Sequence, residues 1–430
     1  MKKQLNVGML GFGVVGSGVP QILAESAEKI RQIAGVEFVI KKALVRSADE
    51  TSELMKRAGR YGIELTTKAE DVLEDGEIDV VIEVMGKIEP AKSFIKRAMN
   101  AGKHVITANK DLLAQHGPEL VALAKKQQTA FYYEASVAGG IPILRTLVNS
   151  LAADRIESVM GIVNGTTNYM LTQMTQLGAS YDTALAEAQR LGFAESDPTN
   201  DVSGLDALYK MVILSDFAYG MEVSVDEVAR RGIEGLSTDV VKASEELGFI
   251  VKLIGITEDT GHGIHVEVAP MLVPADHPLA SVANENNSVF VKSFGINGSM
   301  YYGPGAGTLP TATSIVSDLI AIAEDMKADR LGTPFNVYHM PKKIADDASI
   351  TSRFFLAIGV PNNKGQLSAL TGMLSGMGVE FDQLLQKNQG EQAVLNIVTY
   401  PLDLKTLRNI LNVLSDDEAY ILLDCLRVIE

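Results

Sequence analysis

Leu5-Asn6-Val7-Gly8-Met9-Leu10-Gly11-Phe12-Gly13-Val14-Val15-Gly16 decides the fold. Residues 5–10 form a short apolar run that stops at Gly11, the length and punctuation of a buried strand. A helical pattern follows from about Val14 to Ala34. Gly11, Phe12, Gly13, Val14, Val15 and Gly16 match GxGxxG in the context that motif requires, after a strand and opening a helix. The first glycine allows the tight turn. The second lets backbone N–H groups approach a pyrophosphate, and the third lets helix and strand pack closely. The helix N-terminus adds unpaired N–H groups and a partial positive charge. A lone GxGxxG also fits a glycine turn in any α/β protein, so the surrounding elements must support the reading.

They do. Further strands are expected at 38–45, 78–84, 104–107 and 131–134, with a helix at 91–101. Strands alternating with helices imply βαβ units on a parallel sheet, so residues 1–140 read as a Rossmann-type, doubly wound α/β domain that binds NAD(P). The second strand ends in Val45-Arg46-Ser47. A cation there accepts the 2′-phosphate of NADP, whereas an acid would bind the NAD ribose. Arg46 therefore favours NADP and Asp49 comes slightly late for the acid, with NAD use left open.

From about Ser158 the texture changes to strands and helices without regular alternation, an α+β region. The glycine-rich stretch at 303–307 precedes an apolar helix expected to return to the first domain. Residues 341–350 are polar and read as a linker. The last 80 or so residues, 351–430, follow a βαββαβ pattern, the ferredoxin-like arrangement.

Composition narrows the function. The 430 residues carry 38 Lys plus Arg against 54 Asp plus Glu, a formal charge of −16, which argues against a nucleic-acid partner and against an anionic membrane surface. Cys425 is the single cysteine, so no intrachain disulfide forms and a reducing, cytoplasmic location fits. No uncharged apolar run reaches the roughly 18 residues of a membrane helix. Lys2 and Lys3 before the stretch 7–19 imitate a signal peptide, but five glycines interrupt that stretch and the strand-turn-helix reading accounts for them.

The segment from Gly192 to Lys210 crowds Glu195, Asp197, Asp201 and Asp206 into a short span. A solvated acidic loop would explain most of it. Asp206 and Lys210, however, are four apart at the start of an expected apolar helix, so they share a face. A lysine buried beside carboxylates is a candidate proton donor, although an i, i+4 pair is more often structural. His262 and His265 form an HxxH pair far from other ligands and read as structural or surface histidines.

The spacing A-x3-G-F-A-x2-D-P-x2-D-V-x-G-x-D-x3-K, from Ala188 to Lys210, resembles the signature of the homoserine dehydrogenases. Thr107-Ala108-Asn109-Lys110, Asn164-Gly165-Thr166-Thr167-Asn168 and Gly303-Pro304-Gly305-Ala306-Gly307 resemble further segments of that family, and the likeness runs from residue 1 to about 340. It implies NAD(P)H-dependent reduction of L-aspartate 4-semialdehyde to L-homoserine, on the route to threonine, methionine and isoleucine. By resemblance Lys210 is the proton donor, and Lys110 is a second lysine near the reacting centre and cofactor. Glu195 and Asp206 hold the substrate's amino group, Gly192 contributes a backbone contact, and Gly305 lies at the cofactor. The family also implies a monovalent cation, sodium, at Glu134, Val137, Gly139 and Ile141. Residues 141–340 would form the substrate and dimerisation domain of a homodimer or homotetramer.

Residues 351–430 resemble an ACT domain, for which threonine would be the expected effector. Where many such domains read D-x-P-G, this chain has Pro361-Asn362-Asn363-Lys364-Gly365, which keeps the glycine and lacks the acid and proline. A phosphorylating semialdehyde dehydrogenase would need a nucleophilic cysteine, for which Cys425 in the terminal strand is badly placed. The reading from another class is a catalytically silent sensor of cofactor and amino acid. The retained Asp206 and Lys210 weigh against it.

Overall fold

The computed structural model describes residues 3–46 and 51–430. Ser47 and Asp49 of the expected cofactor-discriminating turn lie outside the described residues, as does Lys2. The chain divides into two compact units, one of residues 1–155, 212–227 and 301–341, the other of 156–211, 228–300 and 342–430.

The first unit holds six strands: β1 (Gln4–Leu10), β2 (Glu37–Leu44), β3 (Glu64–Thr66), β4 (Val80–Glu83), β5 (His104–Thr107) and β6 (Phe131–Tyr132). They pair in the order β3-β2-β1-β4-β5-β6, all parallel. This is the doubly wound order, which reverses direction at β1 and opens a crevice at the carboxyl ends of β1 and β4. Strands buried on both faces read as unbroken apolar runs, and Val80–Glu83 is buried throughout. The helix Thr308–Ala328 contributes Ala312, Ile315, Val316, Leu319 and Ile322 to the same core as Val7, Met9 and Ile82.

Two expectations need revision here. The helix expected from Val14 to Ala34 is broken into a 3-10 turn at Gly16–Gly18 and helices Val19–Glu25 and Ala27–Ala34. Pro20 stands in the first turn of the first of these helices, where its missing N–H costs nothing, and Ser26 leaves helical geometry with ψ 18°. The strand expected at 131–134 ends at Tyr132, because Tyr133 (ψ 38°) turns the chain into a 3-10 turn at Glu134–Ser136.

The second unit is built on an 11-stranded mixed sheet. Its strands are β7 (Ile156–Ile162), β8 (Ala229–Arg230), β9 (Phe249–Asp259), β10 (Ile264–Pro274), β11 (Asn286–Ser293), β12 (Asn297–Pro304), β13 (Thr351–Pro361), β14 (Phe381–Gln389), β15 (Gln392–Thr399), β16 (Leu402–Asp403) and β17 (Ile421–Val428). The main path runs β12-β11-β7-β9-β10-β17-β13-β15-β14. Its last four members, with helices Gln366–Gly376 and Leu404–Asp416, have the ferredoxin-like order and their own core around Leu356, Ile358, Leu395 and Ile410. β17 joins this module to the rest by pairing parallel with β10, Met271 opposite Arg427 and Leu272 opposite Val428. Gly365, at φ +93°, makes the turn into the helix that starts at Gln366. The long hairpin β9–β10 is the largest feature that the sequence reading does not anticipate as a pair.

Candidate functional site

At the glycine turn, the three glycines differ in what surrounds them. Gly11 has φ +107°, and a Cβ there would stand 2.9 Å from the carbonyl oxygen of Val84. A Cβ on Gly16 would stand 2.6 Å from the carbonyl oxygen of Gly11, so this glycine lets the turn close on itself. A Cβ on Gly13 would meet no protein atom within 4 Å. Protein packing thus explains the first and third glycines but not the second, whose bare backbone is open to a molecule approaching from outside. That is the cradle a pyrophosphate requires. Arg46 is exposed just beyond β2, and Val14 is 71 % exposed on the rim of the turn.

The carboxyl ends of β4 and β5 hold a buried polar network in the same unit. Glu83 accepts a hydrogen bond from Thr107 Oγ1 (2.6 Å) and another from the Met85 N–H (2.7 Å). Burial pushes its carboxyl above the ordinary range. Thr107 Oγ1 in turn accepts from the Asn109 N–H (3.0 Å), while Asn109 Oδ1 caps the helix Lys110–Gln127. Lys110 therefore sits on the first turn of a helix anchored to two strand ends, its Nζ 3.3 Å from Asp111. Glu83, the acid of this network, is a residue that the sequence reading does not single out, since a lone acid closing an apolar run carries no motif.

The turn after β6 contains the four residues expected at a cation. The Glu134 carboxylate is occupied: it accepts from the backbone N–H groups of Leu144 and Arg145, both at 2.9 Å. Burial raises this carboxyl to about 8, and the neighbouring Asp318 adds to the effect. Arg145 also pairs with Asp318. Val137, Gly139 and Ile141 have only main-chain carbonyls to offer a cation. Ala138 (φ +53°) and Gly139 (φ +52°) bend the chain sharply here, and the Gly139 carbonyl accepts from Ser314 Oγ (2.7 Å). An all-oxygen set is of the kind a hard cation takes. Gly139 also packs against the Gly305 carbonyl, too closely for any side chain.

In the second unit the sequence signature folds into a cluster. Gly204 (φ +78°) starts the helix Leu205–Tyr219, which carries Asp206 and Lys210 on one face. Lys210 donates to Asp206 Oδ2 (2.8 Å) and to the carbonyl of Val163 (2.5 Å) at the end of β7. Both side chains are about nine-tenths buried. Asn164 caps the helix Gly165–Leu177 and reaches both Asp201 and Asp206. Thr166 Oγ1 fastens the following loop by donating to the carbonyl of Phe193 (2.5 Å), so Gly192 and Glu195, both exposed, lie on a tethered segment. The structure thus joins Lys210 with Asp206, Asp201 and Asn164. Val163 and Asn164 escape the sequence reading as partners, although an Asn before Gly-Thr-Thr is an N-cap signal.

Other candidates fall away. His262 is exposed and His265 pairs with Glu267 at 3.3 Å. Among the described residues no group of three or more His, Cys, Asp or Glu side chains could hold a metal. Burial pushes the Cys425 thiol up to about 12, away from the thiolate form a nucleophile needs. No helix among the described residues is long and apolar enough to cross a membrane.

A doubly wound sheet with an open glycine cradle, together with a buried lysine held by a carboxylate, defines a nicotinamide-nucleotide-dependent oxidoreductase. Comparison with known proteins makes this specific. The family description "Homoserine dehydrogenase" matches residues 142–320, and its NAD-binding domain matches residues 11–134. The homoserine dehydrogenase of Lactococcus lactis is 44 % identical over 99 % of both chains. A crystal structure of a homoserine dehydrogenase from Thiobacillus denitrificans superposes with a TM-score of 0.93 at 36 % identity, covering 100 % of this chain and 99 % of that one. A hyperthermophilic archaeal homoserine dehydrogenase in complex with NADPH covers 75 % of this chain and 98 % of its own, at 27 % identity and a TM-score of 0.64. The chain belongs to the homoserine dehydrogenase family. Its activity is the NAD(P)-linked interconversion of L-aspartate 4-semialdehyde and L-homoserine, and a silent sensor is not favoured.

Proposed function

We propose that Lys210 is the proton donor to the aldehyde oxygen, and the observation that carries this is its buried ammonium held by Asp206 and the Val163 carbonyl. The nicotinamide, when bound, supplies hydride to the aldehyde carbon or takes it from the alcohol. Hydride addition leaves an alkoxide. Lys210 faces that charge with the one N–H not directed at Val163 or Asp206, stabilises it, and transfers a proton to the oxygen. In the oxidative direction the neutral amine takes the hydroxyl proton. Asp206 and Glu195 hold the substrate ammonium by charge-assisted hydrogen bonds, with Gly192 contributing backbone. Lys110 assists at the cofactor end, and Gly11 to Gly16 with Gly305 bind the nucleotide.

Arg46 supports NADP as the preferred nucleotide, with NAD also used. A sodium ion on the carbonyls of Glu134, Val137, Gly139 and Ile141 would stiffen the turn that follows β6. We assign 1–140 to cofactor binding, 141–340 to substrate binding and assembly as a homodimer or homotetramer, and 351–430 to an ACT-type module responding to threonine. The enzyme is cytoplasmic. The decisive test is homoserine-dependent reduction of NADP⁺ and NAD⁺ by the wild type and Lys210→Ala. A loss of about 100-fold or more in kcat fits a general acid-base group. Turnover that survives the substitution would transfer the role to Lys110 or water.

A further inference from the structure

We infer that Asn164 is a positioning residue that binds Asp201 and Asp206 into one fixed acidic array for the substrate ammonium; this rests on the reading of Asp206 as an ammonium-binding group. The side-chain amide nitrogen of Asn164 donates to Asp201 Oδ1 at 2.7 Å and to Asp206 Oδ2 at 2.8 Å. The amide oxygen accepts from the N–H of Thr167 at 2.9 Å and from Thr167 Oγ1 at 2.8 Å. Two donors and two acceptor positions are thus all used, the full capacity of an asparagine side chain. The amide orientation is fixed by chemistry as well: a backbone N–H can only donate, so the oxygen must face Thr167 and the nitrogen the two acids. Asn164 is 6 % exposed, which makes these bonds costly to exchange for water.

The bridge matters because of what it joins. Asp201 lies on the short helix Thr199–Val202 and Asp206 on the helix Leu205–Tyr219, with Gly204 turning the chain between them. Two like charges on separate elements repel and have no intrinsic reason to point the same way. A neutral group with two divergent N–H bonds holds both without adding a positive charge of its own, so the bridge does not compete with a substrate ammonium as a second cation would. Oδ2 of Asp206 is shared between Asn164 and Lys210, so the asparagine also sets the rotamer that places the carboxylate on the lysine. Lys210 has a second anchor in the Val163 carbonyl, independent of the bridge. Loss of the bridge should therefore weaken substrate binding more than proton transfer.

The test separates the bridge from the helix cap. Asn164→Ser and Asn164→Asp both keep an N-cap acceptor, so the helix that starts at Gly165 should persist, and each lacks the two amide donors. KM for homoserine is expected to rise about 10-fold or more in Asn164→Ser, as for loss of a hydrogen bond to a charged group, with kcat reduced less and NADPH affinity unchanged by fluorescence titration. Asn164→Asp, which adds a third carboxylate, should raise KM by more than Asn164→Ser. A KM within about twofold of wild type in a folded Asn164→Ser protein overturns the inference, as does a fall in kcat at unchanged KM. Asp206→Asn is the control: unchanged KM there defeats the reading of Asp206 itself, whereas raised KM there with normal KM in Asn164→Ser defeats only the bridge.

Discussion

Lys252 directs its ammonium at Oδ1 of Asn168, 3.1 Å away, from a position on β9 that is 3 % exposed. Its other acceptor is the carbonyl of Val282 at 2.5 Å, so both partners are neutral. Asn168 passes the connection on by donating to the carbonyls of Asn284 and Asn286. Burial without a counter-ion lowers the lysine from its ordinary 10.5 to about 8. The unfolded chain therefore binds this proton more tightly than the folded one. The resulting penalty is fully present below pH 8, shrinks as pH rises, and vanishes above about 10.5. It amounts to about 3 kcal/mol. Relative to Lys252→Met, the wild type should gain stability between pH 8 and 10.5 in urea titrations. Parallel pH profiles for the two proteins would contradict this.

Asp216 presents the opposite sign in the first unit. Burial raises its carboxyl to about 6, partly offset by His339 and Asn336, and its Oδ1 is buried with no hydrogen-bond partner. The unfolded chain loses this proton first, near 3.8, so the penalty begins there and is complete above about pH 6. Asp216→Asn should match the wild type near pH 3.5 and exceed it by about 2–3 kcal/mol at pH 7. Chemical denaturation at the two pH values reads the difference directly.

Gly13 and Gly16 should separate cofactor binding from folding. Gly16→Ala forces the carbonyl of Gly11 to move and should lower the melting temperature. Gly13→Ala meets no protein atom, so its melting temperature should stay near wild type. Its Kd for NADPH should nonetheless rise about 10-fold or more, because a methyl group would occupy the space the pyrophosphate needs. Equal effects of both substitutions on Kd and stability would argue against the cradle.

Arg427 anchors β17 to the hairpin β9–β10. It pairs with Glu258 at 2.6 Å and Glu267 at 3.5 Å and donates to Ser352 Oγ at 3.1 Å, with 7 % of its side chain exposed. Removing one member of such a buried set leaves charges uncompensated, so Arg427→Met should cost about 3–5 kcal/mol. A double substitution with Glu258→Gln should cost less than the sum of the two, the coupling expected of a direct pair.

The parallel sheet was legible because strands buried on both faces have no polar interruption: Val80 to Glu83 and His104 to Thr107 declare themselves by composition and glycine punctuation. Asp206 and Lys210 were legible because helical spacing is a local property. Val163 and Asn164 were not, since the bond from Lys210 to Val163 spans 47 residues of chain, that from Asn164 to Asp206 spans 42, and both depend on β7 ending beside that helix. The break at Ser26 was equally hidden. No helix-breaking residue marks it, and the apolar spacing continues through it. Glu83 looked like the polar end of a strand, and only the neighbouring Thr107 reveals why an acid is tolerated there.

The parallel pairing of β17 with β10 has a practical consequence for anyone shortening this enzyme. The linker at 341–350 looks like a natural place to cut, and the module beyond it like an accessory. Cutting there would strip a neighbour from the middle of a sheet, bare the edge of β10 at Met271 and Leu272, and strand Glu258 and Glu267 without their arginine. The freed edge would invite another chain to pair with it. Lost activity in such a truncate would report an injured scaffold, so insensitivity to an effector is better sought by point substitutions within 351–430 than by amputation.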